Sequence, residues 1–143
     1  MAEREILFRG KTKVIAGCTY NNGKPDGEWV KGYVYHDIGC YKIRQFDFDY
    51  ARYVYYEVDP DTVGQFIGVL DKNKKKIFDG DIVKTKYGRI CEVCWFAPKL
   101  CWDLRPIECK SKAPDDWDLF QSENLEVIGN IYDDIKKFSH YSI

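Results

Sequence analysis

The sequence predicts an all-β protein, and two features lead to that prediction. Aromatic residues make up 16% of the chain and include eleven tyrosines and four tryptophans. Aromatic and β-branched side chains suit the half-buried surface of a pleated sheet. Short apolar segments also alternate with clusters of turn residues along the chain, which is typical of a β-sandwich or small barrel and not of a βαβ fold.

The first half of the chain contains strand patterns bounded by turn residues. In residues 46–50, apolar and acidic side chains alternate, so a strand there places three rings on one face and Asp47 and Asp49 on the other. Pro60 fixes its own φ and lacks an N–H donor, which predicts a turn over residues 59–62. The predicted strands cover residues 5–9, ended by Gly10, then 29–35, 41–50 and 53–58, with turns at 21–27 and 36–39.

The second half predicts a series of shorter strands. Gly64 and Gly68 interrupt the apolar run of residues 63–70, which indicates a bent or bulged strand. The predicted strands cover residues 63–70, 81–86, 90–96, 100–104, 107–109 and 125–131, with turns at 71–76, 79–80 and 87–88, a loop at 112–121 and one helical turn at 133–138.

The order of elements in the second half fits a small SH3-like barrel. It has a Gly-Asp-Ile-Val entry at residues 80–83, a hairpin at residues 87–88 and a closing strand near the C-terminus. We therefore predict an N-terminal β region over residues 1–70 that packs on a C-terminal SH3-like β-barrel region over residues 71–143. A chain of 143 residues holds these as two small domains or as one compact unit.

Charge and hydropathy exclude several classes of protein. The 22 basic and 23 acidic residues give a net charge of −1, which argues against a protein whose main role is to neutralise phosphates. No segment approaches the roughly 20 apolar residues of a membrane span, and no apolar leader follows Met1, so we expect a soluble cytoplasmic protein with no membrane partner. The six cysteines are then expected to be thiols and not disulfides.

Four cysteines in the second half are candidate metal ligands. Cys91 and Cys94 have the short spacing of a zinc-ligand pair, and Cys101 and Cys109 follow. However, residues three apart on a strand point to opposite faces, so Cys91 and Cys94 cannot chelate one ion without a bulge. Cysteine is also among the most frequently buried residue types. We therefore predict no metal site and no cofactor.

Catalytic patterns are weak throughout the sequence. A cysteine nucleophile needs a nearby base, and the chain offers only His36 and His140. Asp47 and Asp49 are explained by the solvent side of an amphipathic strand, and residues 79–81 lack the spaced ligands of a calcium loop. There is no Gly-x-Ser-x-Gly elbow and no phosphate-binding loop. We predict that the protein is not an enzyme, with a metal- or thiol-dependent enzyme as the least favoured alternative.

Binding is the function that the composition favours. Exposed aromatic faces are typical of protein–protein or self-association surfaces, so the first interpretation is a protein-binding or self-assembling module that forms homo-oligomers. Aromatic side chains beside a basic segment, such as residues 72–89, are also typical of proteins that bind single-stranded nucleic acid, which is the alternative. The candidate partner-binding residues are Tyr53, Tyr55, Lys74, Lys75 and Lys76.

Three segments carry a resemblance to a known family. They are residues 4–11, residues 58–83 with the motifs Val-Asp-Pro-Asp-Thr-Val-Gly-Gln-Phe-Ile-Gly and Ile-Phe-Asp-Gly-Asp-Ile-Val, and residues 127–133. In this order they resemble the YopX family of small proteins carried by phages, prophages and mobile elements of bacteria, so the resemblance implies a bacterial host cell. The resemblance implies an SH3-like C-terminal part but no activity and no catalytic residues. After Asp71-Lys72-Asn73 the family usually has glycine where this chain has Lys74, so a positive φ there would be strained by roughly 1 kcal/mol.

Overall fold

The computed structural model describes residues 5–15, 21–37, 39–107 and 121–133. These residues form ten β-strands and several short 3-10 turns, with no α-helix among them, which confirms the all-β prediction. The chain divides into two compact units, Met1–Phe66 (unit 1) and Ile67–Ile143 (unit 2). The predicted domains, residues 1–70 and 71–143, stay a prediction.

Unit 1 is built on an antiparallel sheet in the order β4-β3-β2-β1-β5. The last strand runs on into unit 2. Its strands are β1 (Phe8–Lys11), β2 (Trp29–Asp37), β3 (Cys40–Asp47), β4 (Arg52–Val58) and β5 (Gly64–Leu70). The turns predicted at residues 21–27 and 59–62 are confirmed: the first contains Gly27 at φ 91°, and Asp59 caps the second by accepting a bond from the N–H of Asp61 at 3.0 Å.

One face of this sheet holds the core of unit 1. Val30, Ile43 and Val58 are buried there, and each belongs to a different strand, which follows from the alternation of side chains across a sheet. Gly10 lies inside β1, so the predicted strand end at this residue is wrong. The reason is close packing, because a Cβ on Gly10 would lie 3.2 Å from the Cβ of Val58.

The turn between β3 and β4 corrects the strand predicted over residues 41–50. β3 ends at Asp47, whose carboxylate accepts a hydrogen bond from the N–H of Asp49 at 3.0 Å. Such a bond competes with strand pairing and favours a turn, which Ala51 completes at φ 50°. Asp47 and Asp49 therefore do not share a strand face. The turn predicted at residues 36–39 is also too early, because β2 continues to Asp37.

Unit 2 contains a four-stranded antiparallel sheet in the order β10-β7-β8-β9, and β6 hydrogen-bonds to β5. Neither sheet of the described residues closes on itself, so the SH3-like barrel is not confirmed. The predicted strand over residues 90–96 is confirmed, whereas β6 lies where no strand was expected. The strands are β6 (Lys76–Phe78), β7 (Asp81–Lys84), β8 (Ile90–Phe96), β9 (Cys101–Pro106) and β10 (Glu126–Asn130).

Unit 2 buries a larger aliphatic core than unit 1. Strand β7 contributes to two clusters, with Val83 in the main one and Ile82 in a smaller one beside Ile90. A strand that is buried on both faces loses the apolar–polar alternation of a half-exposed strand. The main cluster consists of the buried side chains of Ile77, Val83, Cys91, Val93, Leu104 and Leu125.

A buried carboxylate organises the turn before β6. Asp71 accepts hydrogen bonds from the N–H groups of Asn73 at 2.8 Å, Lys75 at 2.9 Å and Val127 at 2.9 Å. Burial pushes the pKa of Asp71 upward, but these three donors and the charge of Lys75 outweigh it and lower the pKa below its usual value. Lys74 has a φ of 64°, so this lysine does occupy the position that favours glycine.

Several predictions lie outside the described residues. They are the loop predicted over residues 112–121 apart from its last residue, the helical turn at residues 133–138 apart from its first residue, Cys109 and His140. Ile107 is described and lies in a bend, so it does not begin the strand predicted over residues 107–109. Among the described residues, no helix has the length and apolar character needed to cross a membrane.

Candidate functional site

The face of β2, β3 and β4 opposite the core carries a cluster of rings. In an antiparallel sheet, directly paired residues point to the same side, and Arg44 pairs with Tyr33 on one neighbouring strand and with Tyr55 on the other. Their side chains therefore lie opposite Ile43, which is buried. We define the tyrosine face as Tyr33, Tyr35, Lys42, Arg44, Phe46, Tyr53 and Tyr55.

The rings of the tyrosine face are open to solvent and contact one another. The least exposed is Tyr55 at 38% and the most exposed is Tyr33 at 55%. Phe46 and Tyr53 meet edge to face, with their ring centroids 5.2 Å apart. Tyr35 and Tyr55 do the same at 6.2 Å. Edge-to-face contacts are favourable for aromatic pairs, so the rings support one another while much of their surface stays available to a partner.

A guanidinium group lies between these rings. The Cζ of Arg44 is 4.4 Å from the ring centroid of Tyr53 and 5.6 Å from that of Tyr33, which is within the range of cation–π attraction. Within the described part of the chain, no carboxylate forms an ion pair with Arg44 or Lys42. Both charges are therefore available to an anion from outside.

The same side of the sheet continues across β1 with further cations. Arg9 pairs with Lys31, and Lys11 pairs with Trp29. The guanidinium of Arg9 lies 4.7 Å from the ring centroid of Trp29, which repeats the contact of Arg44 with its tyrosines. The side of the sheet that holds the tyrosine face is thus basic as well as aromatic.

The described acidic side chain on this side of β1–β4 is Glu57, and it is only 1% exposed. Its Oε2 accepts a hydrogen bond from the N–H of Ile15 at 3.1 Å. The basic side chains on this side outnumber this one described carboxylate, since Arg9, Lys11, Lys31, Lys42 and Arg44 all lie there.

The structure separates the two sets of residues that the sequence indicated. Tyr53 and Tyr55 belong to the tyrosine face of unit 1. The three lysines lie in unit 2, with Lys74 and Lys75 exposed in the turn before β6 and Lys76 half-buried at its start. Their roles in binding stay a prediction.

Sequence reasoning missed five residues of the tyrosine face, which are Tyr33, Tyr35, Lys42, Arg44 and Phe46. The period-two spacing of Tyr33 with Tyr35 and of Lys42 with Arg44 was the available signal. This spacing shows that the two members of each pair lie on one face of their strand. It does not show that the tyrosine pair and the basic pair lie on the same face of the sheet.

The basic segment of residues 72–89 lines a groove in unit 2 with a volume of about 600 Å³. Acidic side chains line it too. Lys72 forms an ion pair with Glu126 at 2.8 Å, and Glu123 lies on the same wall. The groove is therefore mixed in charge, in contrast to the tyrosine face.

The predicted geometry of Cys91 and Cys94 on a strand is confirmed. They lie on β8, Cys91 is fully buried in the main cluster of unit 2 and Cys94 is half-buried opposite Asp103. Burial raises the pKa of the Cys94 thiol to about 11, although Arg105 acts in the opposite direction. The thiol is therefore protonated at neutral pH. Across residues 5–15, 21–37, 39–107 and 121–133, no group of three or more His, Cys, Asp and Glu side chains is placed to hold a metal.

His36 lies in a strand and not in the turn where the sequence placed it. It is in β2, where it pairs with Tyr41 of β3. The two rings stack with their centroids 4.3 Å apart and their planes 18° apart. The imidazole is therefore a packing partner of a tyrosine ring on the side of the sheet opposite the tyrosine face.

Comparison with known families gives one result. The family described as YopX protein matches residues 26–137. This chain belongs to the YopX family. The matched range contains all of β2, β3 and β4, so the whole tyrosine face lies in the family region, as does every strand of unit 2. No curated protein matches the chain.

Proposed function

We propose that this YopX-family protein is a non-enzymatic binding module and that the tyrosine face is its interaction surface. The observation that carries the proposal is a set of five exposed rings on three adjacent strands. Contiguous exposed apolar surface is uncommon on soluble proteins and marks interaction sites. Tyrosine and arginine are also the residue types that contribute most to binding energy at interfaces.

Tyr33 and Tyr53 are not part of the buried core of unit 1. Val30, Ile43 and Val58 form its buried cluster on the opposite face of the sheet. A side chain that stabilises the fold by burial must leave water, but Tyr33 and Tyr53 each keep more than half of their surface exposed. Binding to a partner accounts for these exposed tyrosine rings, whereas packing within the fold does not.

The thiol of Cys94 and the imidazole of His36 support binding over catalysis. A cysteine nucleophile reacts as the thiolate, whereas burial keeps Cys94 protonated at neutral pH. His36 stacks on Tyr41 and contacts no thiol among its described partners. Taken alone, the rings fit another protein or a second copy of this chain, and a homo-oligomer remains part of the proposal.

Mild iodination of tyrosines tests where the interaction surface lies. Protein is purified gently in low salt, its assembly states are resolved by native mass spectrometry, and labelled tyrosines are located in each state. Tyr33 and Tyr53 should label less in any assembled or co-purified state than in the bare monomer. Tyr87, which is 76% exposed in unit 2, serves as the control and should label equally. If Tyr33 and Tyr53 label equally in every state, the proposal is wrong.

A further inference from the structure

We infer that the tyrosine face binds single-stranded nucleic acid. This inference rests on the proposed function and names the partner. An unpaired nucleotide offers a flat base that stacks on an aromatic ring and a phosphate that attracts a cation. The tyrosine face presents both kinds of group, in alternation, on adjacent strands.

The alternation follows from the register of the strands. Tyr33, Arg44 and Tyr55 are directly opposite one another on β2, β3 and β4, so a cation stands between two rings. Neighbouring strands lie about 4.8 Å apart. At this spacing, the base and the phosphate of one nucleotide can contact neighbouring strands. The contacts of Arg44 with Tyr33 and Tyr53 keep its guanidinium among the rings.

Charge complementarity favours a polyanion over a protein. The chain as a whole has a net charge of −1, yet its charges are not evenly distributed. On this side of β1–β4, one acidic side chain, Glu57, is described against five basic ones. A local excess of one sign, and not the net charge, determines which partner a surface attracts. The basic side chains on this side of β1–β4 are Arg9, Lys11, Lys31, Lys42 and Arg44.

The rings favour a single strand over a duplex. In a duplex, the bases are stacked on one another and expose only their edges in the grooves. In a single strand, each base has a face available for stacking, and stacking on aromatic side chains depends little on sequence. Because Tyr33, Tyr53 and Phe46 project from a sheet surface, they meet base faces and not groove edges.

Fluorescence anisotropy of the full chain with labelled oligonucleotides tests the inference. The probes are oligothymidylate and oligouridylate of about 12 nucleotides and a duplex of the same length. We expect both single strands to bind more tightly than the duplex at low salt. The comparison of oligothymidylate with oligouridylate shows whether the protein prefers DNA or RNA. If Lys42 and Arg44 each contact a phosphate, the slope of log K against log salt is about −1.4.

Two pairs of matched variants test whether Tyr53 and Arg44 contribute to nucleic-acid binding. Tyr53→Ser removes one stacking ring and should weaken binding by about tenfold, whereas Tyr87→Ser removes an exposed ring from unit 2 and should leave binding unchanged. Arg44→Gln should weaken binding and reduce the salt slope by about 0.7. Arg89→Gln removes the same charge from an exposed turn of unit 2 and should change neither. All four variants should keep the unfolding midpoint of the wild type within a few degrees, which separates lost binding from lost folding.

The outcomes distinguish this inference from the proposed function. Absence of single-strand binding at low salt, or equal weakening by Arg44→Gln and Arg89→Gln, contradicts the nucleic-acid inference. If Tyr33 and Tyr53 are then still protected from iodination in an assembled state, a protein or second copy occupies the face and the proposed function stands. If they are labelled equally in every state, both fail.

Discussion

Unit 2 buries a cluster of six mostly aliphatic side chains, whereas unit 1 places most of its described rings outside. The main cluster of unit 2 joins aliphatic side chains from β6 to β9 and from the residue before β10, and Ile77 and Leu104 are completely buried in it. Among the described residues of unit 1, the buried cluster consists of Val30, Ile43 and Val58. The exposed rings of unit 1 are Tyr33, Tyr35, Tyr41, Phe46, Phe48, Tyr50, Tyr53 and Tyr55. The difference indicates that unit 2 depends on its core for stability while unit 1 offers a surface.

Polar side chains also serve different ends in the two units. In unit 2, Asp71 joins its turn to Val127 at β10. In unit 1, the amide of Asn21 accepts from the N–H of Glu57 at 2.7 Å and donates to its carbonyl at 3.1 Å. Because β4 is at the edge of its sheet, Asn21 satisfies backbone groups that a neighbouring strand would otherwise pair. The carboxylate of Asp71 therefore joins two segments of unit 2, whereas the amide of Asn21 covers the edge of β4 in unit 1.

Removing a core side chain from unit 2 is the strongest test of this comparison. Leu104→Ala should lower the free energy of unfolding by about 2–5 kcal/mol, because it leaves a cavity in a fully buried cluster. Tyr53→Ala on the tyrosine face should cost less than about 1 kcal/mol. Urea denaturation followed by far-ultraviolet circular dichroism measures both. Similar losses for the two variants would contradict the division of roles between the units.

A second test opens the sheet of unit 1 without touching a ring. A Cβ on Gly32 would lie 2.1 Å from the carbonyl oxygen of Arg44, so Gly32→Ala forces β2 and β3 apart. We expect a loss of about 1–3 kcal/mol in stability and weaker oligonucleotide binding, because Arg44 moves away from Tyr33. Gly88→Ala is the control, since it strains a turn of unit 2 at φ 84° but has open space around it. If the Gly32→Ala variant binds the oligonucleotide as tightly as the wild type, the spacing between β2 and β3 is unimportant for binding.

The carboxylate of Asp71 makes the stability of unit 2 depend on pH. Because its pKa is lowered in the folded state, its contribution is present above the unfolded value of 3.8 and is lost as the pH falls through the folded value. Asp71→Asn should cost about 1–3 kcal/mol at neutral pH and should flatten the acid side of the stability curve. Asp61→Asn, which changes an exposed carboxylate of unit 1, should have little effect. Parallel acid curves for wild type and Asp71→Asn would show that Asp71 does not set this dependence.

The smallest expected effect is a gain in stability at residue 74. Lys74→Gly removes the strain of a positive φ and should raise the free energy of unfolding by about 0.5–1 kcal/mol. Lys75→Gly, one residue later and without a positive φ, should lower it by a similar amount. Thermal unfolding of the two variants under identical conditions gives the comparison. A loss in both would mean that the side chain of Lys74 contributes more than its backbone strain costs.

Local patterns in the sequence predicted the fold class and many of its elements. Strand β8 was predicted with its observed ends, and the turns at Pro60 and at Gly88 were placed correctly. Each depends on neighbours in the chain: period-two alternation defines a strand, and proline or glycine sets φ for a turn. The end of β3 at Asp47 was missed because a side-chain bond to the N–H of Asp49 overrides the alternation.

The tyrosine face needed the tertiary structure. Alternation shows that Tyr53 and Tyr55 share one face and that Tyr56 lies on the other, but it does not show which face packs against Ile43. That choice, and the alignment of Arg44 between Tyr33 and Tyr55, depend on pairing between strands that are separated in the chain. The sequence by itself therefore determined an all-β protein of the YopX family with strands and turns in known places. Long-range register and burial decided which rings and cations meet on one surface, because neither is encoded in the spacing of neighbouring residues.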